Sequence, residues 1–179
     1  MFTHFPHLSR RGTAASVTAV LAALATAGIT WNASAAPASQ PAARAVPTCT
    51  VSGLHLSMGR AEGAAGSLYR PISFTNTGHG SCALRGYPGV SVLDSKHHQI
   101  GAAATRSGTS YGTVVLAAGH SASAVIRTTN GPVGGACQRT GSYLRVYPPA
   151  SYKAVLVPAH WKVCSHLFQV GPVNTQGVI

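Results

Sequence analysis

Several groups of residues in this chain have types and spacings that could do chemistry. GTSYG, residues Gly108 to Gly112, spells the G-x-S-x-G of a nucleophile elbow, with Ser110 as the nucleophile. That motif works when a strand precedes it, a helix follows it, and an acid and then a histidine come later in the chain. Here a run of strand formers, TVVL, follows, and the only two acids, Glu62 and Asp94, both precede Ser110. With two carboxylates in all, a glycosidase-like pair would need Glu62 and Asp94 to meet across a cleft at roughly 5 to 10 Å. Both fall in expected turns. His97 and His98 have the side chains of metal ligands, but neighbours on a strand point to opposite faces, and DSKHHQ reads as a hairpin tip. Cys164 and His166 would suit copper only with Cys164 as a free thiolate. The expectation is therefore no catalytic residue, no cofactor and no metal; a hydrolase using Ser110 is the reading to be removed by experiment.

Binding chemistry is better represented. Tyr69, Tyr87, Tyr111, Tyr143, Tyr147 and Tyr152 are interleaved with arginines and prolines at YRPI, GYPG and RVYPP. Exposed tyrosine beside arginine is typical of recognition surfaces. Tyr69, Arg70, Tyr87, Tyr143, Arg145 and Tyr147 are the candidate surface for a glycan or a secreted protein. The alternative is that the rings cover sheet edges and pack on prolines.

The chain begins with MFTHFPHLSRRG, which carries Arg10 and Arg11 and no acid, followed by the uncharged apolar run TAASVTAVLAALATAGIT. ASA at Ala33 to Ala35 then supplies a small-x-small site for cleavage before Ala36, so residues 1–35 read as a signal peptide. Ala and Thr dominate the apolar run, which makes it a weak candidate for a membrane anchor. SRRG leaves open export by the general or the twin-arginine route. Removal of the leader leaves 179 − 35 = 144 residues, enough for one core. ASQPAARAVPT is Pro- and Ala-rich without periodicity, so residues 36–48 read as a flexible lead-in and residues 49–179 as one domain. No transmembrane segment is expected after cleavage.

The expected mature chain carries eight arginines and three lysines against two acids, 11 − 2 = +9 with histidines neutral. Such a charge attracts polyanions, and outside a bacterium the anionic polymers of the cell wall are the nearest. The basic residues are dispersed, with no basic run and no nucleic-acid motif, so no specific nucleic acid is expected. A secreted or loosely wall-associated protein follows.

Cys49, Cys82, Cys137 and Cys164 all lie in the exported part, an even number in an oxidising compartment. Sequence alone permits three pairings. LHLSM (54–58) alternates as a strand and LYRPISF (68–74) does so less cleanly, with the turn GRAEGAAG between them, and a hairpin centred near Gly63 brings Cys49 within a few positions of Cys82. YLRV (143–146) and KAVLV (153–157) fold about a point near Ala150, which sets position 137 opposite about 163. Cys49–Cys82 and Cys137–Cys164 are thus the expected disulfides. Zinc is disfavoured because the spacings contain no C-x-x-C knuckle.

The remaining segments, GVSVL, IGAAAT, TVVL, SASAVIRT and HLFQVGPV, keep a strand-and-turn rhythm of about 8 to 12 residues, the mark of an all-β sandwich or barrel. An antiparallel β-sandwich of about 7 to 9 strands is expected. Leu54, Leu56, Ile72, Phe74, Val90, Val92, Leu116, Ala124, Ile126, Leu144, Val146 and Leu156 supply its inward faces. In FTNTGHGSCALRGYPGVSVLD (74–94), Asn76 and Gly78 are expected at positive φ in a turn, with Cys82 stapling the crossing.

The order Cys49, EGAAGS, FTNTGHGSCALRGYPGVSVLD, IGAAA, LAAGHSASAVI, Cys137 and LRVYPP resembles the actinobacterial family called domain of unknown function 4232, over about residues 49 to 171. The resemblance implies an exported, immunoglobulin-like β-domain with no settled activity. Unlike lipid-anchored members, this chain has no lipid-acceptor cysteine behind its apolar run. It supplies no functional residues to carry over. Two functional readings follow from the residues: an envelope-associated recognition module, and a secreted inhibitor of an extracellular enzyme such as a protease, since small stapled scaffolds present loops rigidly.

Overall fold

A computed structural model describes residues 45–109 and 112–177. The expected signal peptide and residues 36–44 of the lead-in lie outside the described residues. Among the described residues there is no α-helix, only a short 3-10 turn at Val51–Gly53 and eleven strands. The strands are β1 (Leu54–Met58), β2 (Glu62–Ala64), β3 (Ser67–Asn76), β4 (Cys82–Leu84), β5 (Gly89–Leu93), β6 (Thr105–Arg106), β7 (Val114–Leu116), β8 (Ser121–Thr129), β9 (Gly141–Tyr147), β10 (Val155–Trp161) and β11 (Gln169–Val170). Five of these have only two or three residues, which is why the number exceeds what the alternation pattern displays.

The strands form an open sandwich. One sheet has the order β1-β3-β8-β11-β6, with β2 also on β3; a second has β10-β9-β5; β4 and β7 form a short third. β1 and β2 lie along the same edge of β3, with their registers offset by one residue. The turn expected near Gly63 is therefore displaced: Glu62–Ala64 continues the edge as a strand, and the reversal falls at Ala65 and Gly66, with φ of 46° and 72°. Two successive left-handed residues are the two-residue hairpin turn whose twist matches the flanking strands. Gly59 opens the offset, since a Cβ there would lie 2.5 Å from Cγ of Pro71.

Alternation sets the core. Leu54, Leu56, Ile72, Phe74, Val90, Val92, Leu116, Ala124, Ile126, Leu144 and Val146 are all buried as expected. Leu156 is not: it is 42% exposed. It pairs with Arg145 on the outer side of the second sheet, and the inward phase of β10 is Val157, Ala159 and Trp161. VLV is apolar in both phases, so alternation there cannot choose a face, and the register of β9 does. β10 is an outer strand of its sheet, and Pro158 within it removes a backbone donor, a usual protection for an edge.

Both disulfides have the expected pairing. Cys137 and Cys164 lie opposite each other in an antiparallel bridge, as the β9–β10 hairpin demands. Cys49 reaches Cys82 differently from the expected hairpin extension. The segment Pro47 to Cys49 runs parallel to β4, with Cys49 N donating to Ala83 O and Ala83 N to Pro47 O.

The NTGHG corner is also built differently. Neither Asn76 nor Gly78 has positive φ. Asn76 ends β3, is 2% exposed, and shapes the turn with its side chain. Its Nδ2 donates to Gly80 O and Leu116 O, and its Oδ1 accepts from Gly78 N.

Candidate recognition surface

The outward phase of β9 follows from its inward one. Leu144 and Val146 are fully buried, so Tyr143, Arg145 and Tyr147 stand on the opposite face of the second sheet. The β5–β9 register sets Tyr143 opposite Leu93, Arg145 opposite Ser91 and Tyr147 opposite Gly89. Tyr143 and Arg145 are half-buried on this face and Tyr147, opposite Gly89, is exposed. Leu156 flanks Arg145 from the other side.

The β5 hairpin tip braces this row. Asp94 Oδ1 accepts from Lys96 N and His98 N, which turns the chain through His97 at φ 64°. The His97 ring then meets Tyr143 edge-on, with centroids 5.0 Å apart, and its carbonyl accepts from Arg145 Nη2 at 3.4 Å. His97 and His98 are exposed. Asp94 is bound to Arg139 at 3.1 Å. The hydrogen bond from His98 N holds its carboxyl below the ordinary 3.8, with Lys96 N and the charges of His98 and Arg139 acting the same way against partial burial.

The β9–β10 hairpin carries the row onward to a cleft of about 680 Å³ between Thr48–Ser52 and Ala150–Lys153. Ala150 takes φ 59°, and Ser151 Oγ accepts from Lys153 N and donates to Lys153 O, which fixes the loop. Tyr152 at the rim is completely exposed. The Cys49–Cys82 disulfide anchors the opposite wall.

The other three candidates have different partners. Tyr69 stands on the outer face of the first sheet beneath Arg127, whose guanidinium carbon is 5.7 Å from the ring centroid. Arg70 points the other way from β3 and donates through Nε to Gly59 O at 2.9 Å, so it braces the offset between β1 and β2. Tyr87 donates to Gly108 O and lies under Arg106 at 5.6 Å. The structure thus gathers Tyr143, Arg145 and Tyr147 on the second sheet and sets Tyr69 and Arg70 on the first, while Tyr87, two residues before the Gly89 that faces Tyr147, is held by Gly108 and Arg106 instead. Tyr152 and Lys153 are not among the six candidate residues; an aromatic–cation pair just past two prolines is the signal that marks them.

For chemistry other than binding, Ser110 and Tyr111 lie outside the described residues. Cys164 is in a disulfide, which removes the thiolate a copper site with His166 would need. Glu62 is on the first sheet and Asp94 follows β5 of the second. Among the described residues no group of three or more His, Cys, Asp or Glu could hold a metal ion.

Residues 49–174 match the family described as Domain of unknown function (DUF4232), and the chain belongs to that family. No curated protein matches. Among solved structures, the chain is similar to the crystal structure of Se-Met labelled β-glucosidase from Kluyveromyces marxianus, at 15% identity and a TM-score of 0.32. That alignment covers 66% of this chain and 15% of the β-glucosidase chain. Among the described residues no helix is long and apolar enough to cross a membrane.

Proposed function

We propose that this protein is an exported, non-enzymatic recognition module that binds anionic polymers of the cell envelope through the outer face of β9 and the Tyr152–Lys153 cleft. The observation that carries the reading is the row Tyr143, Arg145 and Tyr147 leading into a cleft rimmed by Tyr152 and Lys153. The exposed rings of Tyr147 and Tyr152 supply flat area at low entropic cost, while Arg145 and Lys153 supply charge for the polymer's anionic groups. Charge outside the row favours the same partner. Of ten arginines and lysines among the described residues, only Arg139 lies within ion-pair distance of a carboxylate. The remaining cations keep a long-range attraction for a polyanion that dispersed, neutralised pairs would lose.

Retention on purified cell wall across a salt series tests the reading. Binding at low ionic strength that falls steadily as salt approaches 1 M is expected, because the Debye length shrinks from about 10 Å at 0.1 M to about 3 Å. Each exposed charge contact is worth ~0.2–1 kcal/mol, so Arg145→Ala and Lys153→Ala should each weaken retention by at most a few-fold. Their combination with Tyr152→Ala should abolish it at unchanged melting temperature. No retention at any salt concentration, or full retention by the triple variant, overturns the proposal. A panel of extracellular hydrolases separates it from the inhibitor reading, since only an inhibitor changes a rate.

A further inference from the structure

Ser165 and His166 follow Cys164 as two successive left-handed residues, with φ of 52° and 54°, and Leu167 N closes the turn on Cys164 O at 3.0 Å. Glycine fills such positions at lower cost. Ser165 is held there, because its Oγ donates to Val133 O at 2.6 Å. The His166 side chain makes no hydrogen bond or ion pair with another described residue and stays exposed, so the fold itself gives no reason for an imidazole at this point. Backbone strain that no internal contact explains points toward a ligand.

His166 lines a cleft of about 150 Å³ with Gln138, Thr105 and a floor of buried Val163 and Phe168. The Cys137–Cys164 disulfide sets its two arms, since Gln138 follows one cysteine and His166 stands two residues after the other. Gln138 N also donates to Val163 O at 2.8 Å. The Gln138 side chain lies against Gly101, where a Cβ would overlap its amide. That amide makes no hydrogen bond with another described residue, and although Gln138 is half-buried neither polar atom of the amide is sealed from solvent. Thr105 Oγ1 donates its proton to Phe168 O at 3.2 Å, which leaves it lone pairs with which to accept. No lysine, arginine or carboxylate lines the cleft.

We propose that this cleft binds a neutral secondary amide, an acetyl group carried on nitrogen. In a trans secondary amide the C=O and the N–H point in opposite directions, so its recognition needs a donor and an acceptor from separate elements. Gln138 Nε2 supplies the donor and Thr105 Oγ1 the acceptor. The methyl group rests on Val163 and Phe168, and the flat body of the His166 ring covers the rest of the ligand. An uncharged wall disfavours an ion, which would leave water there without a counter-charge. At about 150 Å³ the cleft is smaller than the roughly 300 Å³ at which drug-sized sites begin, so it takes one acyl group and not a whole chain. It shares no lining residue with the Tyr152 cleft and stands whether or not the protein binds anionic polymers.

The Gln138 side-chain amide reports occupancy directly. Its nitrogen-15 resonance in the full chain is assigned by its loss in Gln138→Ala and followed during titration with N-acetylglucosamine and with N-acetyl-alanine methylamide, an acetamido sugar and a peptide. Glucose and N,N-dimethylacetamide are the controls, the first without the acetyl group and the second without the N–H. Saturable movement with at least one acetyl amide is expected, and the one that saturates at lower concentration names the source. Gln138→Ala, followed through the backbone amide of Ala103 in the same cleft, should weaken that binding about two- to tenfold, as for one neutral hydrogen bond. His166→Gly should weaken it too while melting no lower than the parent, since glycine relaxes the turn. No movement with either acetyl amide, equal movement with a control, or undiminished affinity in either variant overturns the proposal.

Discussion

The side-chain amide of Asn76 donates to the carbonyl of Leu116 at 2.9 Å and so ties the last residue of β3, in the first sheet, to the last residue of β7, in the short third sheet. Every polar group of Asn76 is used, since its backbone N–H also donates to His120 O and its carbonyl accepts from Gly119 N. Asn76→Ala removes two donors at a buried corner and leaves the Leu116 carbonyl without its partner. A buried group stranded in this way costs about 1–3 kcal/mol, so a loss of about 2–3 kcal/mol is expected. It is read as a lower urea midpoint at unchanged slope. Asn76→Asp should cost more, because it sets a carboxylate against two carbonyl oxygens at a 2% exposed position.

Much of this fold was legible in the sequence because its signals are local. The Cys137–Cys164 pairing follows from one hairpin, whose fold point near Ala150 fixes which residues face each other. The inward residues of β1 and β9, Leu54 with Leu56 and Leu144 with Val146, follow from alternation. Where alternation fails, so does the reading: VLV in β10 is apolar in both phases, and only the partner strand decides that Leu156 faces out. Asn76 was legible as a turn residue but not as a buried tie, since its partner Leu116 comes from a distant strand. The Tyr152 cleft is harder still to read. Its walls, Thr48–Ser52 and Ala150–Lys153, come from opposite ends of the domain, so no spacing records their meeting.

Both disulfides should carry a large share of stability. They close separations of 33 and 27 residues, and the chain-entropy model assigns each about 3.5 kcal/mol. Against the usual total of about 5–15 kcal/mol, removing both leaves little margin. Native protein should take up no alkylating reagent, reduced protein should take up four equivalents, and the double pair Cys49→Ala with Cys82→Ala and Cys137→Ala with Cys164→Ala should be unfolded or nearly so at 37 °C. Labelling of native protein, or a reduced form with an unshifted melting temperature, contradicts this.

Asp94 should make stability depend on acid pH. Its carboxyl is held below 3.8, first by the hydrogen bond from His98 N, so the unfolded chain binds a proton more readily than the folded one. Stability therefore rises with pH through this window. The contribution is present above 3.8 and is lost as pH falls through the lower folded value. Asp94→Asn keeps an oxygen for Lys96 N and His98 N but not the charge facing Arg139. The variant should melt lower than the parent at pH 7, and the gap should close as pH drops well below 3.8. A gap of constant size across pH 2 to 7 would trace the effect to packing rather than to the carboxylate.

Gly141 is the position where one added methyl group should do the most harm. It opens β9 opposite Trp161, and a Cβ there would lie 2.2 Å from Cγ1 of Val92 and 2.8 Å from the backbone oxygen of Leu93. Val92 is 1% exposed, so it has nowhere to retreat, and a backbone oxygen moves only with its strand. Overpacking of this kind costs about 1–3 kcal/mol. Gly80 provides the contrast, since a Cβ there meets nothing within 4 Å and its φ is not positive. Gly80→Ala should be neutral or stabilise by about 0.4–1 kcal/mol through the unfolded chain. Thermal melts of the two variants side by side decide the matter: Gly141→Ala must fall clearly below the parent while Gly80→Ala does not, because the difference lies in contacts with β5 and not in the loss of glycine itself.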